Sequence, residues 1–447
     1  IDGEPTVDMM GVDPRRFGPY ATRGYLREKN EEAYSNVFTT HFPDEERGAA
    51  RPLKTAPCYD RMKSLGAVFG SVYGWERPNW FMPSSDYSLS VEDINQEDPS
   101  NVLLNKNHSS PLDDGRIVEK NSFRRSNYFE HVGNECRHVN EKVGLLDMSA
   151  FAKCVVKGPG AESWLESLFA NKIPKNIGRI NLVHMLSLNG GVRAEFTVYK
   201  TAPQTYYLVS AGAFETHDHD YLFKLRPNDG SVDVQRVTTR TGVLVLAGPR
   251  SRDVLQKLTD TDLSNDSFKW LTGKKINVGY ATADALRVNF VGELGWELHH
   301  PIEMQNYIFD QVMKVGEEFE IKPFGIRAMD SMRLEKSYRL IPREMSIEYS
   351  AFESGLDRFV ILDKQADFIG KSSLLEWKSR GFDNGFVTLE VLGIKDADAR
   401  GSEAIYQNGK IVGRATSGGY GWRCEKSLAL GIVRLDLTKI GTKLDIE

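Results

Sequence analysis

The strongest constraint in the sequence is a duplication. Val155-Val156-Lys157-Gly158-Pro159, followed by Leu165 and Leu168, returns 90 residues later as Val245-Leu246-Ala247-Gly248-Pro249, followed by Leu255 and Leu258. Each copy reads as a strand, a Gly-Pro turn and an amphipathic helix. One helical face carries Trp164, Leu165, Leu168 and Phe169 in the first copy, and Val254, Leu255 and Leu258 in the second. Such a pair predicts a pseudo-duplicated α+β domain with any ligand at the junction of its halves.

The 447 residues are more than two such units need, and the rest divides by composition. Residues 1–83 are dense in aromatics and arginines but poor in periodic apolar surface, so they are expected to pack on something larger. Residues 84–122 are Ser/Asp/Asn-rich, with the turn signal Asp113-Asp114-Gly115, and read as a polar insertion or linker. Regular α and β patterning fills 123–360. In 361–447 a short helix (373–379) leads into strands at 386–392, 404–406, 410–416 and 427–434, punctuated by Asn408-Gly409 and Gly418-Gly419, so a small barrel or sandwich is expected. Within the central region, 195–200 and 206–209 form an expected hairpin, and helices are predicted over 303–318 and 329–337. The chain opens on Ile1 and stops at Leu444-Asp445-Ile446-Glu447, which reads as a strand cut short, so a fragment or one product of a longer gene is expected.

Charge and cysteine usage narrow the class. With 57 Lys+Arg against 62 Asp+Glu and a net charge of −5, a nucleic-acid binder is disfavoured, although one local basic pocket remains compatible. No apolar run is long enough for a transmembrane helix, and nothing at the N-terminus resembles a signal peptide. Four scattered cysteines without a Cys-x-x-Cys fit a reducing compartment. Neither Gly-x-Gly-x-x-Gly, a P-loop nor Gly-x-Ser-x-Gly is present, so no dinucleotide fingerprint, phosphate loop or hydrolase elbow is encoded. His217-x-His219, on one face of an expected strand, lacks a third ligand at sensible spacing, so no metal site is expected.

Three segments place a charged group beside glycines. In Asn189-Gly190-Gly191-Val192-Arg193-Ala194-Glu195-Phe196, Glu195 follows a turn and neighbours Phe196; it is either a proton acceptor whose ionisation apolar neighbours resist, or a solvated turn carboxylate. In Gly292-Glu293-Leu294-Gly295-Trp296-Glu297-Leu298, alternation puts Glu293, Gly295 and Glu297 on one strand face; Glu293 either accepts two donors from a planar amidine-like ring or caps an exposed turn. Arg333, in Met329-Asp330-Ser331-Met332-Arg333-Leu334-Glu335, either grips a ligand carboxylate or pairs along its helix with Asp330 or Glu335.

Taken together, these segments resemble the folate-binding aminomethyltransferase family of the glycine cleavage system and, within it, the C-terminal half of the dimethylglycine and sarcosine dehydrogenases. The resemblance is carried by Val143-Gly144-Leu145-Leu146-Asp147-Met148-Ser149, Leu168-Phe169-Ala170-Asn171-Lys172-Ile173-Pro174, Arg193-Ala194-Glu195-Phe196-Thr197-Val198, the Gly-Glu-Leu-Gly-Trp-Glu run at Glu293, and Asp367-Phe368-Ile369-Gly370-Lys371. Tyr73-Gly74-Trp75-Glu76-Arg77-Pro78-Asn79-Trp80-Phe81 resembles the tail of the flavin module that precedes the folate half. The resemblance implies a three-domain cloverleaf around a tetrahydrofolate site, ending in a small β-barrel, with Glu195 as catalytic acid residue and Glu293, Arg333 and Tyr207 binding folate. The aminomethyltransferases have aspartate where Glu195 stands and arginine where Met329 stands. It implies an N-methylated glycine as substrate and FAD held only by a missing N-terminal half or partner chain. An electron-transfer flavoprotein is the implied acceptor, with a mitochondrial matrix location in a eukaryote or the cytoplasm in a bacterium. The competing expectation is a regulatory protein of the same fold, resembling the regulatory subunit of pyruvate dehydrogenase phosphatase; a standalone aminomethyltransferase is disfavoured by the flavin-tail resemblance.

Overall fold

Residues ahead of the duplication attach to it rather than standing alone. The computed structural model describes residues 9–83 and 122–447, together with Val7 and Glu119; the predicted insertion at 84–122 therefore lies almost wholly outside the described residues. Helix α1 (Arg23–Ser35), capped by the Thr22 hydroxyl, buries no side chain. Past it, α2 (Tyr59–Ser64) and the hairpin of β1 (Ala67–Val72) and β2 (Trp75–Phe81) are drawn inward, because Met62, Ala67, Phe69 and Phe81 belong to the same core as Leu246 and Trp296. Trp80 is fully buried in a second core cluster with Val139 and Leu146.

The next elements are α3 (Phe129–Glu141) and β3 (Gly144–Asp147), after which the two copies follow. The first contains β4 (Ala152–Lys157), α4 (Ala161–Leu168), β5 (Ile180–Leu186), β6 (Val192–Ala202), β7 (Thr205–Ser210), α5 (Glu215–Leu225) and β8 (Asp233–Arg236). The second contains β9 (Thr241–Ala247), α6 (Ser251–Gln256), β10 (Gly273–Val278), β11 (Ala281–Leu286), β12 (Gly295–Pro301) and α7 (Gln305–Gly316), and β13 (Lys322–Pro323) follows. The sheet orders are β5-β6-β7-β4-β8 and β10-β11-β12-β9-β3-β13. In both halves a strand and its helix are followed by a three-stranded meander whose last strand returns to pair with the first. The turn glycines are equivalent too. Gly158 and Gly248 have φ of +126° and +122°, and a Cβ on either would lie 2.3 Å from the Ser231 carbonyl oxygen or 2.5 Å from that of Lys142. The predicted hairpin at 195–209 is β6–β7. His217 and His219, expected on a strand, instead lie on α5, where acidic Glu215 and Asp218 in the first turn complement the helix dipole and Leu222 anchors the core face.

Helix α8 (Ile326–Glu335) connects the halves to the C-terminal region, formed by α9 (Lys371–Arg380) and the strands β14 (Asn384–Glu390), β15 (Ala404–Gln407), β16 (Lys410–Gly421), β17 (Lys426–Arg434) and β18 (Asp445–Ile446), in the order β14-β17-β16-β15-β18. Asn408-Gly409 makes the expected tight turn, with φ of 52° and 70°. Gly418-Gly419 does not separate strands. It lies within β16, where a Cβ on Gly418 would meet the Ala399 carbonyl oxygen at 2.1 Å, so the glycine serves close backbone approach rather than a turn.

Candidate functional site

A cavity of about 1280 Å³ opens where the two halves, the N-terminal hairpin, α8 and the C-terminal sheet meet. Its walls carry Asp147, Glu195, Glu293, Glu297 and Asp330 together with several arginines.

Glu195 is presented by the pleat of β6. Ala194, Phe196 and Val198 are buried in the core of the first half, which turns the intervening Glu195 and Thr197 the other way; both line the cavity. Directly across the β5–β6 ladder stands His184, whose Nε2 lies 2.9 Å from Glu195 Oε2. The imidazole has no exposed surface, and its Nδ1 is shut off from water with no partner. A proton on Nδ1 would be an unsatisfied buried donor, which favours Nε2 as the nitrogen that donates to the carboxylate. This holds one oxygen of Glu195, while among the described residues Oε1 has no donor. Arg339 also lines the cavity. Burial holds it below the usual arginine range, the Arg358 charge pushes the same way, and Glu344, Asp357 and Glu195 oppose them. His184 was readable only as a histidine interrupting the apolar run Leu182-Val183-His184-Met185.

Glu293 precedes β12 instead of sharing its face with Gly295 and Glu297, so the expected three-residue strand face is corrected. Asn289 builds the turn: its Oδ1 accepts from the amides of Val291 and Gly292 at 3.0 and 3.1 Å, and its Nδ2 donates to the Glu293 carbonyl at 2.7 Å. The Glu293 carboxylate pairs at 2.6 Å with Arg423, which lies between β16 and β17. Its side chain keeps 17% of its surface exposed and Glu195 keeps 26%, so both acids are partly open to the cavity.

Two expected folate contacts lie elsewhere. Tyr207 is not on the cavity wall; its hydroxyl is 3.0 Å from His299 Nδ1, and His299 Nε2 is 3.1 Å from Glu297 Oε2, so the chain of contacts ties β7 of one half to β12 of the other. Glu297, which sequence reasoning left without a role, is the member of this chain that reaches the cavity. Arg333 has no exposed surface. Its guanidinium donates to Asp330 Oδ1 (2.7 Å), the Tyr338 carbonyl (3.0 Å), Glu344 Oε2 (3.2 Å) and Ser417 Oγ (2.8 Å). It fastens α8 to the C-terminal sheet with four of its five donors engaged and no surface open to a ligand. Among the described residues no cluster of His, Cys, Asp and Glu is arranged to hold a metal ion, and no helix is long and apolar enough to cross a membrane.

The chain belongs to the glycine cleavage T-protein family: residues 58–364 match the GCVT N-terminal domain and 385–447 the glycine cleavage T-protein C-terminal barrel domain. Residues 2–56 match the FAD dependent oxidoreductase central domain. Mouse mitochondrial dimethylglycine dehydrogenase is 37% identical over 450 residues, covering 100% of this chain and 48% of that protein. The mouse mitochondrial pyruvate dehydrogenase phosphatase regulatory subunit is 28% identical, covering 97% of this chain and 47% of its own length. The aminomethyltransferase of Thermoanaerobacter is 30% identical over 337 residues, covering 74% of this chain and 89% of that enzyme. The chain thus spans about half the length of the mitochondrial relatives. The crystal structure of the glycine cleavage system aminomethyltransferase T from Bartonella henselae superposes with a TM-score of 0.70 at 22% identity, over 88% of this chain and 94% of that one, and shares its fold.

Proposed function

We propose that this chain is the folate-binding part of an N-methylglycine dehydrogenase, which captures an oxidised N-methyl carbon on tetrahydrofolate to give 5,10-methylenetetrahydrofolate. The observation that carries the proposal is Glu195, with one carboxylate oxygen held by a buried histidine and the other without a donor among the described residues, on a large cavity. The end-to-end similarity to dimethylglycine dehydrogenase supports the choice of reaction. The donor set fits a reduced folate: the cavity is large enough, and Glu293 is a carboxylate held by one flexible, exposed arginine that a ring N–H pair can replace. Reduced folate bound there supplies the nitrogens that take up the one-carbon unit. Glu195 accepts a proton at the oxygen turned to the cavity, while the His184 donor keeps the carboxylate in one orientation. Glu293 orients the ring. The bonds made by Arg333 keep the C-terminal sheet against α8, which closes one wall against water.

The match over residues 2–56 supports the expectation that FAD belongs to a preceding flavin half or a partner chain; an electron-transfer flavoprotein as acceptor is part of the proposal. The mitochondrial relatives support a matrix location in a eukaryote.

Calorimetry with tetrahydrofolate tests the proposal. The chain is expected to bind it, Glu293→Ala to weaken binding about tenfold or more, and Glu195→Gln to bind normally while slowing one-carbon capture by roughly 10²- to 10⁴-fold, the usual contribution of a general base. Absence of binding, the outcome expected of a regulatory protein of the same fold, would refute it.

A further inference from the structure

Among the described residues, one arginine of the N-terminal hairpin stands on the cavity wall without an ion-pair partner. Arg77, on β2, lines the same cavity as Glu195 and Glu293. Among the described residues it makes no hydrogen bond or ion pair, and its Nε is shut off from water without an acceptor. The acids around it are already engaged. Glu46 accepts from the Ser71 amide and from Asn79 Nδ2, both at 3.1 Å, and lies 3.6 Å from Arg51. Asp330 is shared by Arg333 at 2.7 Å and Arg343 at 3.8 Å. The hairpin fixes this arrangement, because Gly70, opposite Arg77 in the β1–β2 ladder, leaves the room that Glu46 and Asn79 occupy.

Two further guanidiniums stand on the same wall. Arg327 lies 3.7 Å over the Tyr128 ring and pairs with Glu119 at 2.6 Å, yet its Nη1 is also closed to water and without an acceptor; Arg343 lines the cavity beside Asp330. Burial pushes Arg77 below the ordinary arginine value, and the charges of Arg343 and Arg327 push it the same way against Glu46 and Asp330. A partly buried guanidinium to which no acid is hydrogen-bonded leaves its donors open to a ligand, and the planar fork is the donor geometry that matches a carboxylate.

We propose that Arg77, flanked by Arg327 and Arg343, is a carboxylate-binding subsite of the cavity. Which carboxylate it holds rests on the function proposed above, which offers two: that of the N-methylated amino acid and that of the glutamyl tail of folate. The subsite comes from the N-terminal hairpin, whereas Glu195 and Glu293 come from the two halves, so a ligand holding Arg77 and either acid joins separate parts of the molecule.

Calorimetry on the whole chain, with wild type, Arg77→Ala and Arg77→Lys, decides the matter. The two arms compare sarcosine with sarcosinamide, and tetrahydrofolate with the primary amide of tetrahydropteroic acid, which keeps the pterin and aminobenzoyl rings but carries no carboxylate. In one arm Arg77→Ala is expected to weaken the carboxylate ligand at least tenfold and leave its carboxylate-free counterpart unchanged, with Arg77→Lys intermediate. The arm that responds identifies the source. Equal affinities for all ligands in wild type and both variants, equal losses for a ligand and its counterpart, or no binding of either carboxylate ligand to wild type would overturn the subsite. Should Arg77→Ala fail to fold, Arg77→Lys carries the same comparison, since it keeps the charge and removes the fork. If wild type binds sarcosine in an Arg77-dependent way but neither folate, the folate reading falls and the subsite stands.

Discussion

Replacing Arg333 with methionine separates a ligand contact from a structural one. Methionine keeps most of the unbranched stem and therefore most of the packing, but removes every donor of the guanidinium. Glu344, which like Arg333 has no exposed surface, then retains only the Leu340 amide at 2.9 Å and the Thr416 hydroxyl at 2.8 Å. Ser417 Oγ and the Tyr338 carbonyl lose their partner, whereas Asp330 keeps Arg343. Breaking one side of a fully buried ion pair costs about 3–5 kcal/mol, because the remaining charge has no compensation. At roughly 2–4 °C per kcal/mol, the unfolding midpoint should fall by on the order of 10 °C. Urea unfolding followed by tryptophan fluorescence measures the loss. In the double variant Arg333→Met/Glu344→Gln at least about 1 kcal/mol should return, since the stranded charge is gone. Tetrahydrofolate affinity of the folded single variant should stay within about twofold of wild type. A variant with an unchanged midpoint and abolished folate binding would refute the reasoning and restore Arg333 to the ligand.

Arg423→Ala should change stability by no more than about 0.5 kcal/mol, since the arginine is over half exposed, and should tighten tetrahydrofolate binding by up to about fivefold in calorimetry because Glu293 is freed; unchanged affinity would show that Glu293 does not meet the ligand. Burial pushes His300 down to about 4, against the Leu298 carbonyl that its Nδ1 bonds and with the neighbouring His299 and Lys153 charges. Between about 6.5 and 4 the unfolded chain therefore takes up a proton that the folded one refuses, so stability should fall as the pH drops through that window, by up to roughly 3 kcal/mol, and His300→Gln should flatten this slope in denaturant titrations at several pH values. Gly248→Ala and Gly158→Ala should each cost about 1–3 kcal/mol in thermal unfolding, because both glycines have positive φ and abut backbone carbonyls.

What the sequence made legible was what repeats or alternates locally. The duplicated strand–turn–helix units, the β6–β7 hairpin and the Asn408-Gly409 turn all follow from periodicity and turn chemistry within about a dozen residues. The misassigned features depend on contacts between distant segments. Arg333 is committed by Glu344 and Ser417, and nothing near it in the chain announces either partner. Gly418 looks like a turn residue because its actual neighbour, the Ala399 carbonyl, comes from another segment. Tyr207 alternates correctly in its strand, but the face it occupies meets the other half rather than the cavity. Arg77 is indistinguishable in the sequence from the other arginines of its segment, since a lone arginine carries no mark of what it will lack once folded.

The repeated frame is nearly symmetric, but its chemistry is not. Val155 pairs with Tyr207 as Val245 pairs with Glu297, and Tyr207 pairs with Tyr199 as Glu297 pairs with Leu286. Counting back along these strands, the counterpart of Glu195 is Thr282, an exposed residue, and the counterpart of Glu293 is Pro203, in an exposed turn. A truly two-fold enclosure would accept an elongated guest head-first or tail-first. Here each acid exists once, so a guest that met both, as proposed for reduced folate, would fit in only one polarity, and the divergence of the copies would set which end arrived at which half.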